Sequence, residues 1–325
     1  MKGSFFALSL AIIGGLSLSG CEPAKPRLTP VVVNQAFEHL LYIGLYVAKD
    51  KGLFEQQGLD VTIKTGGGDA QAFAALTSGQ AQFAQGDPAF VAIGHQQGWE
   101  GRVIAMAVDR VAIWGITNNP NIKPFDNPSG FRGYRVSTYP NPNTSYVVQK
   151  ELAQRAGLDV GIDTKIVEVQ FGAELAALKS GTVDIAQTIE PNVSQAEANG
   201  SKVVFSYPEA WGPLAFTGVM TSQDMVRKHP DVVQNFVTAY EKALQYIAGD
   251  FDGTLAIAHK RLPTIPEPVL RTALRRLVSS GSIPAHADVD PNSWASLIKI
   301  RLEVGDLKSP PPSDLVDNEF AKRAR

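Results

Sequence analysis

The sequence predicts an α/β protein with two similarly wound lobes. From Thr29 onwards, strand patterns alternate with helix patterns of about 10–15 residues, which is typical of parallel α/β units. One segment occurs twice: residues 74–85 read AALTSGQAQFAQ and residues 176–187 read AALKSGTVDIAQ, with seven of twelve positions identical. At 325 residues the chain is long enough for two lobes, each with its own core. We therefore expect each copy to supply the crossover helix and the following strand of one lobe.

The N-terminus reads as an export signal that precedes the fold. Met1-Lys2 is followed by an apolar run from Phe5 to Leu18, shorter than the roughly 20 residues that span a bilayer. Small residues then precede Cys21, and this pattern resembles the bacterial lipobox, in which the cysteine becomes the lipidated first residue. The alternative for Cys21 is a buried free thiol. As the single cysteine of the chain, it excludes a disulfide framework.

The first lobe is predicted from four strand patterns and the helices between them. The strands are PVVVNQAF, LDVTIKT, AQFAQ and RVIAMAVDR, and VAIWGITN is a further strand at the end of this half. HLLYIGLYVAKDKGLF and the first copy of the repeat have helical spacing. Asp69 follows a glycine run as a candidate N-cap, and in Gly86-Asp87-Pro88 the aspartate can cap a helix that the proline begins.

The second lobe is predicted from the same alternation. FRGYRVSTY, TKIVEVQ and KVVFSY are strand patterns, and NPNTSYVVQKELAQRAG is a helix with capping residues at its front. The second copy ends in a Thr-Ile-Glu-Pro turn that leads into EPNVSQAEANG. Beyond the strand LAFTGVMT come three helix patterns, and SPPPSDL predicts the start of a flexible tail.

Composition excludes several classes of function. The formal charge is −2, and we find no basic stripe interleaved with aromatic residues, so nucleic acid is not expected as a partner. The five histidines are scattered without metal-ligand spacing. The chain has no G-x-S-x-G elbow and no Walker A loop. We predict no catalytic residue, no metal and no cofactor.

Two segments of the first half resemble a known family. AKDKGLF followed by QGLDV at residues 57–61, and the Leu-x-Ser-Gly-strand pattern at residues 76–83, are similar to the NMT1/SsuA-type substrate-binding proteins of ABC importers. GFRGYRV resembles a third segment of that family, with Gly130 and Phe131 in place of its Asp-Leu pair. The resemblance extends from about Val31 to Ile247.

The resemblance implies a type II periplasmic-binding-protein fold: two doubly wound sheets with a ligand cleft between them. Its crossovers are expected near Thr117 and at 211–213. The predicted organisation is a signal peptide at 1–20, a lipid-anchored tether at 21–30, lobe 1 at 31–117 plus 213–308, lobe 2 at 118–212 and a flexible tail at 309–325. The implied partners are a small-molecule solute, ABC permease and ATPase subunits, and the membrane through the N-terminal lipid, with the protein itself a monomer.

The resemblance also implies which residues contact the ligand. They lie in the loops after strands, at helix entries and near the crossovers: Phe37, Glu38, His39, Gly68, Asp69, Gly86, Asp87, Trp114, Tyr139, Asn143, Thr144, Ser145, Glu190 and Trp211. Simpler roles stay open for several of them. Asn143, Thr144 and Ser145 also suit ordinary N-capping, the two tryptophans suit core packing, and Glu190 suits the first turn of its own helix.

The side chains in these loops favour one ligand class. The loops carry acidic and aromatic residues and no Arg or Lys, whereas a sulfonate or nitrate site needs several donors and commonly an Arg fork. We therefore expect a flat, pyrimidine-like nitrogen heterocycle, with an aliphatic sulfonate, taurine or nitrate as the alternative. A thiamine-pyrimidine synthase-like enzyme and a ligand-sensing lipoprotein are the alternatives of other classes.

Overall fold

The computed structural model describes Met1 and residues 27–325. The predicted signal peptide beyond Met1, the predicted lipidation site Cys21 and the first part of the tether lie outside the described residues.

Ten β-strands occur in the described part of the chain. In chain order they are β1 (Thr29–Gln35), β2 (Leu59–Thr65), β3 (Phe83–Gly86), β4 (Gly101–Arg110), β5 (Trp114–Thr117), β6 (Arg135–Thr138), β7 (Lys165–Glu168), β8 (Ala186–Thr188), β9 (Lys202–Ser206) and β10 (Pro213–Ser222).

The α-helices lie between and after these strands. They are α1 (Ile43–Asp50), α2 (Leu53–Gln56), α3 (Asp69–Thr77), α4 (Ala89–Gln96), α5 (Thr144–Arg155), α6 (Glu174–Lys179), α7 (Asn192–Ala198), α8 (Tyr207–Trp211), α9 (Gln223–Lys228), α10 (Pro230–Gly249), α11 (Phe251–Arg261), α12 (Glu267–Ser279), α13 (Pro291–Glu303) and α14 (Glu319–Ala324). Short 3-10 helices lie at Leu40–Tyr42, Pro128–Phe131 and Ser313–Leu315.

Lobe 1 is built on a five-stranded sheet with the order β2-β1-β3-β10-β4. β1 pairs in parallel with β2 and with β3, whereas β10 runs antiparallel to both of its neighbours. Helices α1, α2 and α10 pack together beside this sheet. Their core includes a stack of aromatic rings, with Phe236 between Phe54 and Phe83 at centroid distances of 4.9 and 4.2 Å.

Lobe 2 repeats the strand order of lobe 1. β5 pairs antiparallel with β8 and with β9, and β6 pairs in parallel with β7. A parallel bridge from Val136 to Ile185 joins these two sheets, which gives the order β7-β6-β8-β5-β9. The two lobes therefore wind alike, and the two copies of the repeated segment take equivalent places: the first forms the end of α3 and β3, and the second forms the end of α6 and β8.

The antiparallel strand of each sheet is the strand that enters from the other lobe. β5 follows β4 of lobe 1, and β10 follows β9 and α8 of lobe 2. The predicted first crossover near Thr117 is wrong by several residues, because Trp114–Thr117 already pairs with strands of lobe 2. The chain crosses instead at 111–113, within a continuous apolar run whose pattern does not show where one sheet ends.

The predicted flexible tail at 309–325 is wrong for most of its length. Asp317 donates its N–H to the Val103 carbonyl at 2.9 Å, and Val316 pairs with Val103 at the free edge of β4. Leu315 and Phe320 are buried, and α14 packs on α10. The prolines of SPPPSDL therefore begin a segment that covers a sheet edge. Within the described residues, no helix has the length and apolar character needed to cross a bilayer.

The C-terminal segment is expected to contribute measurably to stability. A Phe320→Ala variant should lower the free energy of unfolding by about 3 kcal/mol, because the buried ring leaves a cavity between α14 and α10. Urea denaturation measures this change, and Lys322→Ala on the exposed face of α14 is the matched control. Equal stability of the two variants would contradict the packing role of this segment.

Candidate ligand site between the lobes

Two adjoining cavities lie between the lobes. The inner cavity has a volume of about 30 Å³, and the outer cavity, whose lining residues are more exposed, has a volume of about 220 Å³. The two cavities share Phe37 and Asp69 of lobe 1 with Tyr139 and Asn143 of lobe 2. Both are therefore formed by side chains of the two lobes together.

Aromatic rings from the two lobes meet at these cavities. Phe37, after β1, stacks on Phe171, which precedes α6, with ring centroids 3.6 Å apart and an angle of 17° between the planes. Tyr139, after β6, lies 5.3 Å from the same ring. Tyr42 and Phe216 add further rings to the inner cavity. Aromatic rings of both lobes therefore form part of the cavity lining, while the Phe37 and Phe171 rings cover each other's facing sides.

Two carboxylates of lobe 1 stand side by side on the inner cavity. Asp69 begins α3, and its Oδ1 accepts the backbone N–H of Asp87 at 2.9 Å. A Cβ on Gly86 would lie 2.6 Å from this oxygen, so glycine is required for the close approach. Burial, assisted by the charge of Asp87, raises the pKa of Asp69 to about 7.

The N-terminus of α5 connects these carboxylates to lobe 2. Asn143 caps the helix by accepting the Ser145 N–H at 2.9 Å, and its Nδ2 donates to Asp69 Oδ2 at 2.8 Å. Thr144 donates to Asp87 Oδ2 through its hydroxyl at 2.6 Å and through its backbone N–H at 3.2 Å. Asn143 therefore combines N-capping with contact between the lobes, and Thr144 adds a second contact to lobe 1.

Arg301 on α13 lies behind this arrangement with no exposed surface. Its Nη2 donates to Asp87 Oδ2 at 2.8 Å and to Thr144 Oγ1 at 2.6 Å, and its Nη1 donates to Asp306 at 2.7 Å. Nη1 also donates to the carbonyl of Pro142 in lobe 2. The guanidinium is thus held by two carboxylates and joins both lobes. Among the described residues, neither cavity is lined by a lysine or an arginine.

His39 supplies a neutral polar group to the inner cavity. The side chain is 5% exposed, and in the described part of the chain neither ring nitrogen has a hydrogen-bond partner. Its ring meets the edge of Phe171 at 5.4 Å. Burial lowers the pKa of His39 to about 3, so the imidazole is neutral at pH 7 and offers one N–H donor and one acceptor nitrogen.

The buried histidine is expected to make stability depend on pH. An unfolded His39 takes up a proton below about pH 6.5, but the folded one does so only near pH 3, so its contribution falls as the pH falls through this window. Asp69 acts in the opposite sense, because a carboxyl pKa raised to about 7 costs stability as the pH rises from about 4 to 7. A variant of His39 separates the two effects.

We expect wild type to lose stability relative to His39→Gln by about 1 kcal/mol for each unit that the pH falls from 6.5 to 4.5. Chemical denaturation at a series of pH values measures the difference, with His259→Gln at an exposed position as the control. Parallel pH curves for wild type and His39→Gln would show that His39 does not titrate in this way.

Eight of the fourteen predicted contact residues line the two cavities: Phe37, His39, Gly68, Asp69, Asp87, Tyr139, Asn143 and Thr144. Gly86 does not line them but lies next to the Asp69 carboxylate. Ser145 does not line them; its hydroxyl accepts the Tyr139 N–H at 3.0 Å and so fixes the loop. Glu38 is exposed and also lies apart from both cavities.

The remaining three predicted residues also lie away from the cavities, in contacts between the lobes. Glu190 is buried, accepts the Ser194 N–H in the first turn of α7 at 3.0 Å, and pairs with Arg276 of α12. Burial raises the pKa of Glu190, and the charge of Arg276 opposes that shift. The Arg276 guanidinium also lies 5.8 Å from the ring of Trp114.

Trp211 donates its indole N–H to Ser296 at 3.1 Å, and the Arg155 guanidinium lies 4.5 Å from its ring. The two tryptophan rings lie against arginines of the protein itself, and Glu190 forms an ion pair with Arg276. None of the three faces the cavities.

The structure adds cavity residues that the sequence analysis missed. Phe171 could have been found from the repeat. It lies just before the second copy, at the place where the glycine run lies before the first copy. Tyr42, Ile189, Phe216 and Thr217 look like ordinary core residues in the sequence. Arg301 lies behind the cavities, and the sequence around it does not indicate this role, because its partner Asp87 is 214 residues away.

Comparison with known proteins agrees with this architecture. The model of the NMT1/THI5-like family matches residues 40–252. YtlA of Bacillus subtilis (strain 168) is 27% identical over 331 residues, which cover 97% of each protein.

Solved structures match over most of the chain. The ligand-binding component of an ABC-type import system from Staphylococcus aureus gives a TM-score of 0.74 at 16% identity, covering 91% of this chain and 99% of that one. The periplasmic aliphatic sulphonate-binding protein SsuA from Escherichia coli gives a TM-score of 0.72 at 15% identity, covering 88% of this chain and 96% of that one. The desulfurization enzyme DszB shares the fold, with a TM-score of 0.64 at 15% identity over 91% and 98% of the chains. The fold is that of the type II periplasmic binding proteins, and the chain belongs to the NMT1/THI5-like family.

Proposed function

We propose that this protein is the solute-binding component of an ABC importer. It captures a small molecule between its lobes by closure and delivers the molecule unchanged to a membrane permease and its ATPase. The observation that carries the proposal is that both cavities are lined by side chains of the two lobes together. A solute that contacts both lobes binds the closed arrangement better and shifts the population towards it.

The cavity lining favours a flat nitrogen heterocycle, most simply a pyrimidine. Aromatic rings from both lobes line the two cavities and can pack against a planar molecule. Asp69, whose two oxygens each accept one hydrogen bond from the protein, keeps acceptor capacity, and neutral His39 offers both a donor and an acceptor, which matches ring nitrogens and amino groups. Because the described lining holds no Lys or Arg, an uncharged or cationic ring fits it better than an anion.

A sulfonate, taurine or nitrate is the second candidate, favoured by the fold shared with a sulphonate-binding protein. The donors at the start of α5 suit an anion in principle. In this chain those donors already bond Asp69 and Asp87, so an anionic solute would have to compete with two carboxylates.

Transport binding is also favoured over catalysis. His39 has no acid or nucleophile within hydrogen-bond distance in the described chain, and the polar groups of Asp69, Asp87 and Thr144 bond one another. The shared fold with DszB keeps an enzyme as the alternative, together with a lipoprotein that senses the same solute. We further propose that the protein is a monomer, exported and held at the membrane through a lipid on Cys21.

Thermal-shift screening of the purified protein tests this function. We expect aminopyrimidines to raise the melting temperature, with little response to taurine, methanesulfonate or nitrate. Mass spectrometry of the bound molecule after release should show it unaltered. Stabilisation by the anions alone would overturn the ligand class, and conversion of the bound molecule would overturn the transport role.

A further inference from the structure

The carboxylate of Asp87 is bound as a free anion would be. Its Oδ2 accepts from the Thr144 backbone N–H, the Thr144 hydroxyl and the Arg301 guanidinium at 3.2, 2.6 and 2.8 Å. These are the first N–H of a 12-residue helix, a hydroxyl and a buried arginine. Helix N-termini and guanidinium groups are the common binding groups for phosphate, sulfonate and carboxylate.

The Asp87 carboxylate belongs to lobe 1 and accepts hydrogen bonds from Thr144 of lobe 2. Asp87 follows β3 of lobe 1, where its Oδ1 accepts the Ala89 N–H at 2.9 Å, whereas Thr144 begins α5 of lobe 2. Both residues line the inner cavity, so the position that the carboxylate occupies is continuous with the cavity. The place where an anionic group of a solute would bind is therefore filled by the chain itself.

We propose that Asp87 determines the charge class of the solute: as an internal anion at the start of α5, it excludes anionic solutes and leaves the cleft to uncharged or cationic rings. The inference rests on the proposed solute-binding function of the cleft. It predicts that removing the carboxylate creates an anion site, because the donors of Thr144 and Arg301 would then face the cavity without their partner.

The test is a gain of binding in Asp87→Ser. Serine keeps an oxygen that can cap Ala89 and leaves space where the carboxylate was. We expect Asp87→Ser to bind methanesulfonate and nitrate at least about tenfold more tightly than wild type, measured by calorimetry. Asp290→Ser is the matched control, because it makes the same change of charge at the N-cap of α13, and it should gain nothing.

A second variant guards against misfolding of the first. Asp87→Asn keeps the shape of the side chain and removes its charge, so we expect a smaller gain for the same two anions. The inference would be overturned if both variants fold but neither binds the two anions more tightly than wild type. It would also be overturned if wild type binds these anions as tightly as Asp87→Ser does.

The outcomes separate this inference from the proposed function. If wild type binds aminopyrimidines but neither variant gains anion binding, the role of Asp87 fails and the function stands. If wild type binds no aminopyrimidine while Asp87→Ser gains anion binding, the role of Asp87 stands and the ligand class fails.

Discussion

An Arg301→Met variant is expected to lose about 3–5 kcal/mol of unfolding free energy, because it leaves two carboxylates without their buried cation. Arg301 has no exposed surface, and its partners Asp87 and Asp306 are 4% and 15% exposed in their side chains. Methionine fills a similar volume, so the loss measures charge and hydrogen bonding more than packing. Urea denaturation at pH 7 measures the change.

Lys299→Met provides the control on the same helix, since its side chain is 69% exposed and, within the described part of the chain, forms an ion pair only with Glu303. Surface pairs of this kind contribute less than about 1 kcal/mol. Adding Asp87→Asn to Arg301→Met should recover part of the loss, because it removes one of the uncompensated charges. A loss below about 1 kcal/mol in Arg301→Met would show that the cluster does not hold the lobes as described.

A Phe171→Ala variant is expected to bind the best aminopyrimidine of the screen about a hundredfold more weakly, a loss of about 2.7 kcal/mol. The ring of Phe171 contacts Phe37, His39 and Tyr139, and it lines the outer cavity. Removing it takes away both buried apolar area and an aromatic face from lobe 2. Calorimetry measures the affinity.

The control for Phe171 is Phe251→Ala. Phe251 is also partly buried, but it begins α11 in lobe 1 and lies outside both cavities. We expect its affinity to stay within twofold of wild type. An equal affinity in Phe171→Ala would show that the solute does not contact the aromatic rings between the lobes.

The two-lobed fold was predictable because its signals are local and repeated. The strand and helix periods are visible within about ten residues, and the duplicated segment indicates two equivalent units before any contact is known. The position of the first crossover was not predictable, because the connection and β5 form one apolar stretch at residues 111–116. The folded C-terminus was hidden by three prolines, although Leu315 and Phe320 beyond them are buried.

The candidate site was predictable where its residues stand at strand ends and helix starts. Asp69, Asp87 and Asn143 are polar residues at such points, and the structure brings them together. The prediction of Asp69 as an N-cap is wrong, because Gly68 is the N-cap of α3 and the Asp69 carboxylate accepts from Asp87 and Asn143 instead. Trp114, Glu190 and Trp211 show why residue type alone misleads: each is engaged by an arginine of the protein, and those arginines lie far away in the sequence. Arg301 is the clearest case, since only the folded chain places it beside Asp87.

Small-angle scattering of the protein, with and without a solute that calorimetry shows to be saturating, tests the central claim most directly. Closure of the two lobes around the solute predicts a smaller radius of gyration when it is bound. An unchanged radius at saturation would contradict the account, because a cleft lined by both lobes would then hold its solute without bringing them together.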